Sequence, residues 1–289
     1  MIGAIIGDVI GSKFESSPRY PKRPVKTKNF PLFYQRSRFT DDTVLTCATA
    51  EVLLSPVHTA VSPIHSRSYA TAFGDNYKSW GNRYPDRGYG GGFRDWLKSS
   101  PGTANNSYAN GAMMRCSPIA LATESFGSAL EIARQSVLFT HNSPESIRGV
   151  QSIVAATWMA NNSYTKDQIK SHVEENYGHM LNLSLDEVRA QPKTSIRCNL
   201  TAPQALTCFM ESTDFESAVR NAIYIGGDTD TNAAIAGAIA EAYYGPQSIP
   251  KNLIAKAKIR LNPEILSLVN RFYTKIAAHN PKYKDFVIV

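Results

Sequence analysis

Nowhere in its 289 residues does the chain run to about twenty consecutive apolar residues, the length a membrane-spanning helix needs, so such a helix is excluded. The apolar start Met1-Ile2-Gly3-Ala4-Ile5-Ile6-Gly7 is short, carries no basic leader and is interrupted by Asp8, which argues against a signal peptide and makes the cytoplasm the expected location. Only four cysteines occur, Cys47, Cys116, Cys198 and Cys208, without metal-type spacing, and most fall in helical or core-like runs. Reduced, buried thiols are expected, and a cysteine nucleophile is disfavoured. No Gly-x-Ser-x-Gly elbow supports serine-hydrolase chemistry. No strand leads into a Gly-x-Gly-x-x-Gly ahead of a helix, which rejects a dinucleotide-dependent dehydrogenase. Linkers, internal repeats and low-complexity tracts are also lacking, so one compact domain over 1–289 is the simplest organisation.

Helical periodicity is abundant. Ala-rich segments with apolar residues at helical spacing recur at 44–54, 117–122, 128–139, 146–160, 202–211, 215–225, 231–244 and 252–260, with weaker hints at 165–176, and few stretches alternate as strands do. An all-α fold follows. The stretch 161–200 is otherwise the least readable.

Two short acidic clusters, Phe39-Thr40-Asp41-Asp42-Thr43 and Gly226-Gly227-Asp228-Thr229-Asp230-Thr231-Asn232, each open one of these helices. Hard divalent cations select clustered carboxylates and hydroxyls, and each cluster offers two carboxylates and threonine hydroxyls within one turn of chain. Thr and Asp are equally favoured as helix N-caps, so simple capping is the alternative reading of either cluster alone. Two such clusters at the heads of two core helices point to a site able to hold two magnesium or manganese ions. Gly226-Gly227 permits a tight turn into the second helix.

These residues resemble the ADP-ribosylglycohydrolases. The opening run Gly3-Ala4-Ile5-Ile6-Gly7-Asp8-Val9-Ile10-Gly11-Ser12-Lys13-Phe14-Glu15 is similar to that family's first helix, of the form Gly-Asp-x-x-Gly ending in Glu. It is followed, in family order, by Phe39-Thr40-Asp41-Asp42-Thr43, by Ser107-Tyr108-Ala109-Asn110-Gly111-Ala112-Met113-Met114-Arg115, by Thr140-His141, and by Gly227-Asp228-Thr229-Asp230-Thr231. The resemblance implies a compact orthogonal multi-helix bundle and a metal-dependent hydrolase that releases ADP-ribose from a modified acceptor. It implies Thr40, Asp41, Asp42, Asp228, Asp230 and Thr231 as ligands of two divalent ions, with Glu15, Asp41 and Asp42 as the candidate carboxylates for proton transfer; the alternative for Glu15 is a movable metal or water ligand, and Asp8 either orients the site or makes a structural contact within its helix. The loops of Gly90, Gly91, Gly92 and Phe93, and of Ser107, Tyr108, Asn110 and Gly111, would line the ADP-ribose cleft, with His141 near the substrate. A structural histidine is the alternative for His141.

The short form resembles dinitrogenase reductase-activating glycohydrolase, which makes ADP-ribosylarginine on protein the expected substrate. ADP-ribosylserine, O-acetyl-ADP-ribose and a nucleic-acid adduct are the enzymatic alternatives, and a catalytically silent ADP-ribose-binding or structural protein is the other class. The formal charge is +7, and residues 13–38 set Lys13, Arg19, Lys22, Arg23, Lys26, Lys28, Arg36 and Arg38 against Glu15 alone. This basic, proline-rich segment reads as a flap beside the metal site, or as a solvated loop. Its aromatics, Tyr20, Phe30, Phe33 and Tyr34, support a nucleic-acid platform only weakly. A monomer is the expected state.

Overall fold

The computed structural model describes residues 1–15, 25–55, 68–193 and 195–288. Among them are fourteen α-helices: α1 (Ile2–Gly11), α2 (Asp41–Leu54), α3 (Tyr69–Arg83), α4 (Gly91–Leu97), α5 (Ser117–Ala122), α6 (Phe126–Gln135), α7 (Pro144–Asn161), α8 (Lys166–Tyr177), α9 (Leu185–Ala190), α10 (Cys198–Met210), α11 (Phe215–Ile225), α12 (Thr229–Tyr244), α13 (Lys251–Lys258) and α14 (Pro263–Ala277). The described residues form no β-sheet, only isolated bridges between Asn106 and His141 and between Ala109 and Arg197. The all-α expectation holds.

Helix α1 lies directly on α12, backbone against backbone, because Gly3, Gly7 and Gly11 recur every fourth residue along one face. A Cβ at Gly7 would stand 2.1 Å from the carbonyl oxygen of Ala233, one at Gly3 2.3 Å from that of Gly237, and one at Gly11 2.4 Å from the Cα of Asp230. On the facing side α12 answers with its own small residues, Ala233, Ala234, Gly237 and Ala238. The opposite face of α1 sends Ile2, Ile5, Ile6, Val9 and Ile10 into the main core. Around this pair α7 packs on α12 and α10, α11 packs on α12, and α2 packs between α3 and α14.

One end of the α1–α12 pair is pinned by a buried carboxylate. Glu241 accepts hydrogen bonds from the Met1 nitrogen and the Gly3 N–H at 2.7 Å and from the Tyr273 hydroxyl at 2.5 Å. A buried charge is tolerated only when its lone pairs are filled in this way. The other end is tied by the Thr229 hydroxyl, which donates to the Gly11 carbonyl at 3.0 Å. Registration at both ends fixes which residues of α1 and α12 share the cleft.

The periodicity locates α2, α5, α6, α7, α8, α10, α11, α12 and α13 to within a few residues of their observed bounds. It passes over α3, α4, α9 and α14. In α14 the signal is plain, since Ile265, Leu268, Val269, Phe272, Tyr273 and Ile276 are buried at helical spacing. All four cysteines are free and buried, as expected.

The glycine stripe yields a paired prediction. Gly7→Ala forces a backbone clash and is expected to destabilise the protein by about 3 kcal/mol or more. Gly127→Ala, in exposed α6 with open space around the added methyl, is expected to stabilise by roughly 0.5–1 kcal/mol. Urea unfolding midpoints of the two variants test this; a neutral Gly7→Ala would show that the helices can move apart freely.

Candidate metal centre and ligand cleft

Asp8 sits in the middle of α1 and is completely buried. Its Oδ1 accepts from the Thr40 hydroxyl at 2.7 Å, and its Oδ2 accepts from the Thr40 N–H at 2.9 Å, the Thr43 N–H at 3.1 Å and the Thr43 hydroxyl at 2.5 Å. A carboxylate from one helix thus satisfies the unpaired N–H groups at the head of another, where the α2 dipole favours negative charge. Thr40 is the N-cap of α2 and accepts from the Asp42 N–H. The capping role is therefore real for the first cluster. It does not hold for the second, because Asp228 at the N-cap of α12 makes no side-chain cap. The preceding Gly226 and Gly227 take φ of +75° and +81°, the left-handed turn that points Asp228 away from its own helix.

What Asp228 does instead is face the first cluster. Its Oδ2 accepts from Asn110 Nδ2 at 2.7 Å. Asp8, Asp42 and Asp230 bring one carboxylate oxygen each to within 4.8 Å of one another, and Glu15, Asp228 and Asp230 do the same, so Asp230 belongs to both groups. Asp42 and Asp230 are buried and Asp42 Oδ1 has no hydrogen-bond partner. No lysine or arginine among the described residues is ion-paired with Asp8, Asp41, Asp42, Asp228 or Asp230. Burial, and then the charges of neighbouring carboxylates, raise Asp42 and Asp230 well above the usual range; burial and then Asp8 push Asp41 up to about 8. Such crowding without a counter-cation is the donor set of a hard divalent metal site. Asp41 stands beside these triads, at the mouth, where its N–H donates to the Arg87 carbonyl at 2.8 Å.

The carboxylates form one end of a cavity of about 330 Å³. It is lined by Glu15, Thr40, Asp41, Asp42, Gly90, Gly91, Gly92, Phe93, Ser107, Asn110, Gly111, His141, Asp228, Asp230 and Thr231, which brings together every residue expected as a metal ligand, proton-transfer group or cleft residue except one. Tyr108 is the exception: its ring is 51% exposed and lies under the Arg197 guanidinium at 4.4 Å, outside the lining. Gly90, Gly91 and Gly92 do not form a free loop, since Gly91 begins α4. Of the expected flap, residues 16–24 lie outside the described residues, while Glu15 and Arg38 border the cavity.

Residues 105–111 are held from two sides. Asn105 N–H donates to Phe139 O and Asn142 N–H to Asn105 O, both at 3.0 Å, while Asn110 N–H donates to Ile196 O at 2.8 Å. This brings His141 opposite Gly111, where a Cβ would lie 3.3 Å from His141 Nε2. Burial, aided by the nearby Arg115 charge, lowers the His141 pKa well below its ordinary value, so the ring is neutral. Leu45, Met114, Arg115 and Ile196 also line the cavity and were not expected as site residues, while Arg87 and Gly88 join it from the head of the glycine-rich stretch Arg87–Phe93 and Arg38 from the basic segment. Arg115 had a signal: it closes the quoted Ser107–Arg115 run, but nothing in the sequence tells whether an arginine is buried.

The carboxylate crowding makes stability depend on pH and metal together. Because the folded-state pKa of Asp41 lies above its unfolded value, its stabilising contribution is fully present below about pH 4 and is lost as pH climbs through about 8. In chelator the melting temperature is expected to fall across that window, and saturating magnesium or manganese to remove the fall. Calorimetry over pH with and without metal checks this; a flat metal-free profile would contradict it.

With the geometry established, comparison with known proteins is informative. The ADP-ribosylglycohydrolase family profile matches residues 1–282. The mouse (Mus musculus) ADP-ribosylhydrolase ARH3 is 27% identical, over 87% of this chain and 84% of the mouse protein. The ADP-ribosylarginine hydrolase Tri1 of Pseudomonas putida (strain GB-1) is 25% identical, over 89% of this chain and 72% of that protein. A solved structure titled "ADP-ribosylglycohydrolase-related protein complex" superposes with a TM-score of 0.69 at 25% identity, covering 95% of both chains. A paired acidic centre at the heads of α2 and α12, with a family match across nearly the whole length, means that the chain belongs to the ADP-ribosylglycohydrolase family.

Proposed function

We propose that the protein hydrolyses the bond between C1″ of the distal ribose of ADP-ribose and an acceptor, with two magnesium or manganese ions bound at the acidic end of the cavity. The observation that carries this reading is the pair of carboxylate triads sharing Asp230 inside a cleft of nucleotide size. Asp42, Asp228 and Asp230, with the Thr40 and Thr231 hydroxyls and Asp41 at the mouth, are the residues that would hold the ions. Bound there, the ions supply Lewis acidity and a template for the ribose hydroxyls.

The protein's own residues account for the rest. Asp8 holds the first turn of α2 and so sets Asp42 and Thr40 in place. Asn110 orients Asp228, and its neighbour Gly111 keeps the floor open beside His141. Glu15 is exposed, Asp41 is half-buried and Asp42 is buried. A proton moved during hydrolysis must exchange with water, which favours Glu15 and Asp41 over Asp42 as the groups that activate water and protonate the leaving group.

For the acceptor, the reading is the arginine side chain on protein, supported by the similarity to proteins named ADP-ribosylarginine hydrolase. The deciding assay measures free ADP-ribose released from ADP-ribosylarginine, an ADP-ribosylserine peptide and O-acetyl-ADP-ribose, each with magnesium, manganese or chelator. Metal-dependent turnover of the arginine adduct is expected. Turnover of only another adduct would replace the acceptor; no turnover of any, with ADP-ribose still binding, would leave a binding protein.

Two substitutions sharpen the test. Asp230→Asn removes a carboxylate common to both triads and is expected to abolish turnover and weaken metal binding. Asn110→Ala, which leaves Asp228 unsupported, should lower metal affinity or activity roughly 10- to 100-fold. Metal titration calorimetry separates these losses from unfolding, and unchanged affinity in both variants would refute the assigned ligand set.

A further inference from the structure

Arg115 is buried, 1% exposed, and lines the cavity. One of its donors is used, since Nη2 donates to the Thr140 hydroxyl at 2.6 Å. Nε and Nη1 are buried with no hydrogen-bond partner. The guanidinium lies 4.0 Å from the Tyr77 ring centroid and 6.0 Å from that of Phe93, contacts that offset part of its desolvation. Among the described residues no carboxylate is ion-paired with it. A guanidinium has five N–H donors in a planar fork and stays charged in proteins, so leaving it buried and half-satisfied is costly.

Other unsatisfied atoms lie close by. His141 Nδ1 is likewise buried without a partner, and His141 directly follows the threonine that Arg115 grips. The ring is neutral, so it adds no second positive charge and remains able to donate one hydrogen bond. Gly111, facing the same ring, has no side chain to fill the space. The cavity's carboxylates leave these acceptors unfilled, since none is ion-paired with Arg115 and they form the two groups suited to a cation. An unpartnered planar cation with two free donors matches two oxygens of a phosphoryl group.

We propose that Arg115 is the anion anchor of the cleft, clasping the pyrophosphate of ADP-ribose while the acidic end holds the distal ribose. This rests on the reading of the cleft as an ADP-ribose site. It assigns Arg115 a ligand, where the cleft residues read from the sequence were the backbone-rich glycine and serine stretches and His141. The cavity then holds a cation as well as its carboxylate cluster, which suits a ligand that carries both phosphates and ribose hydroxyls.

The test is calorimetric titration of ADP-ribose, ADP and adenosine, in chelator, into the wild-type protein and the variants Arg115→Gln and Arg115→Lys. The wild type is expected to bind ADP-ribose and to prefer ADP to adenosine, and Arg115→Gln to reduce that preference by about tenfold or more. Arg115→Lys keeps the charge but loses the fork, so it should lose part of the preference; it carries the test alone should the Gln variant fail to fold. An undiminished preference for ADP in a folded variant would overturn the proposal and leave Arg115 as a structural cation. Failure of the wild type to bind ADP-ribose, in chelator and in magnesium alike, would instead overturn the reading of the cleft on which the proposal rests.

Discussion

Backbone contact between α1 and α12 is the constraint from which the site follows. Three glycines at four-residue spacing let the two helices approach until carbonyl oxygens stand where side chains would otherwise be. At that separation Asp8, midway along α1, and Asp230, in the first turn of α12, come within reach of the same point. A larger residue at any of the three positions would separate the carboxylates as surely as it would loosen the core, so packing and function share one geometric requirement. The interior is close-packed and yields little to added volume.

The site gathers a cluster of negative charge and a buried cation in one cavity. Each charge alone would be expensive to bury, and among the described residues none of these carboxylates is ion-paired with the guanidinium. Acidic residues that repel one another and a guanidinium with unused donors are both incomplete until something else is bound. The folded state therefore carries local electrostatic cost at the cleft, offset by the apolar core that α1, α2, α7, α10, α12 and α14 build around it. Functional sites are where such local inconsistency is expected.

Much of this was legible in the sequence because the signals are local. Ala-rich helical periodicity places α7, α11 and α12 within a few residues, and the spacing of Thr40-Asp41-Asp42 and Asp228-Thr229-Asp230 marks the helix heads that carry the centre. The caps were legible only in part. Thr40 caps α2, whereas Asp228 occupies the N-cap position of α12 without capping it, a difference made by the left-handed Gly226-Gly227 turn and by Asn110 arriving from more than a hundred residues away. Helix α3 escaped notice because its buried residues Phe73, Tyr77 and Trp80 are aromatics among polar neighbours, a weaker periodic signal than an alanine stripe.

By itself, then, the amino-acid order determined the helical class and the two acidic helix heads, since those depend on neighbours three or four positions apart, whereas the cleft residues were implied by the family resemblance. Only the tertiary structure decided that Asp8 braces α2, that Asp230 serves both carboxylate groups, that Tyr108 lies outside the lining and that Arg115 is buried with donors to spare. Those are properties of burial and of contacts between segments distant in the chain. They come into being only when α1 is locked against α12 and residues 105–111 are pinned between 139–142 and 196–198.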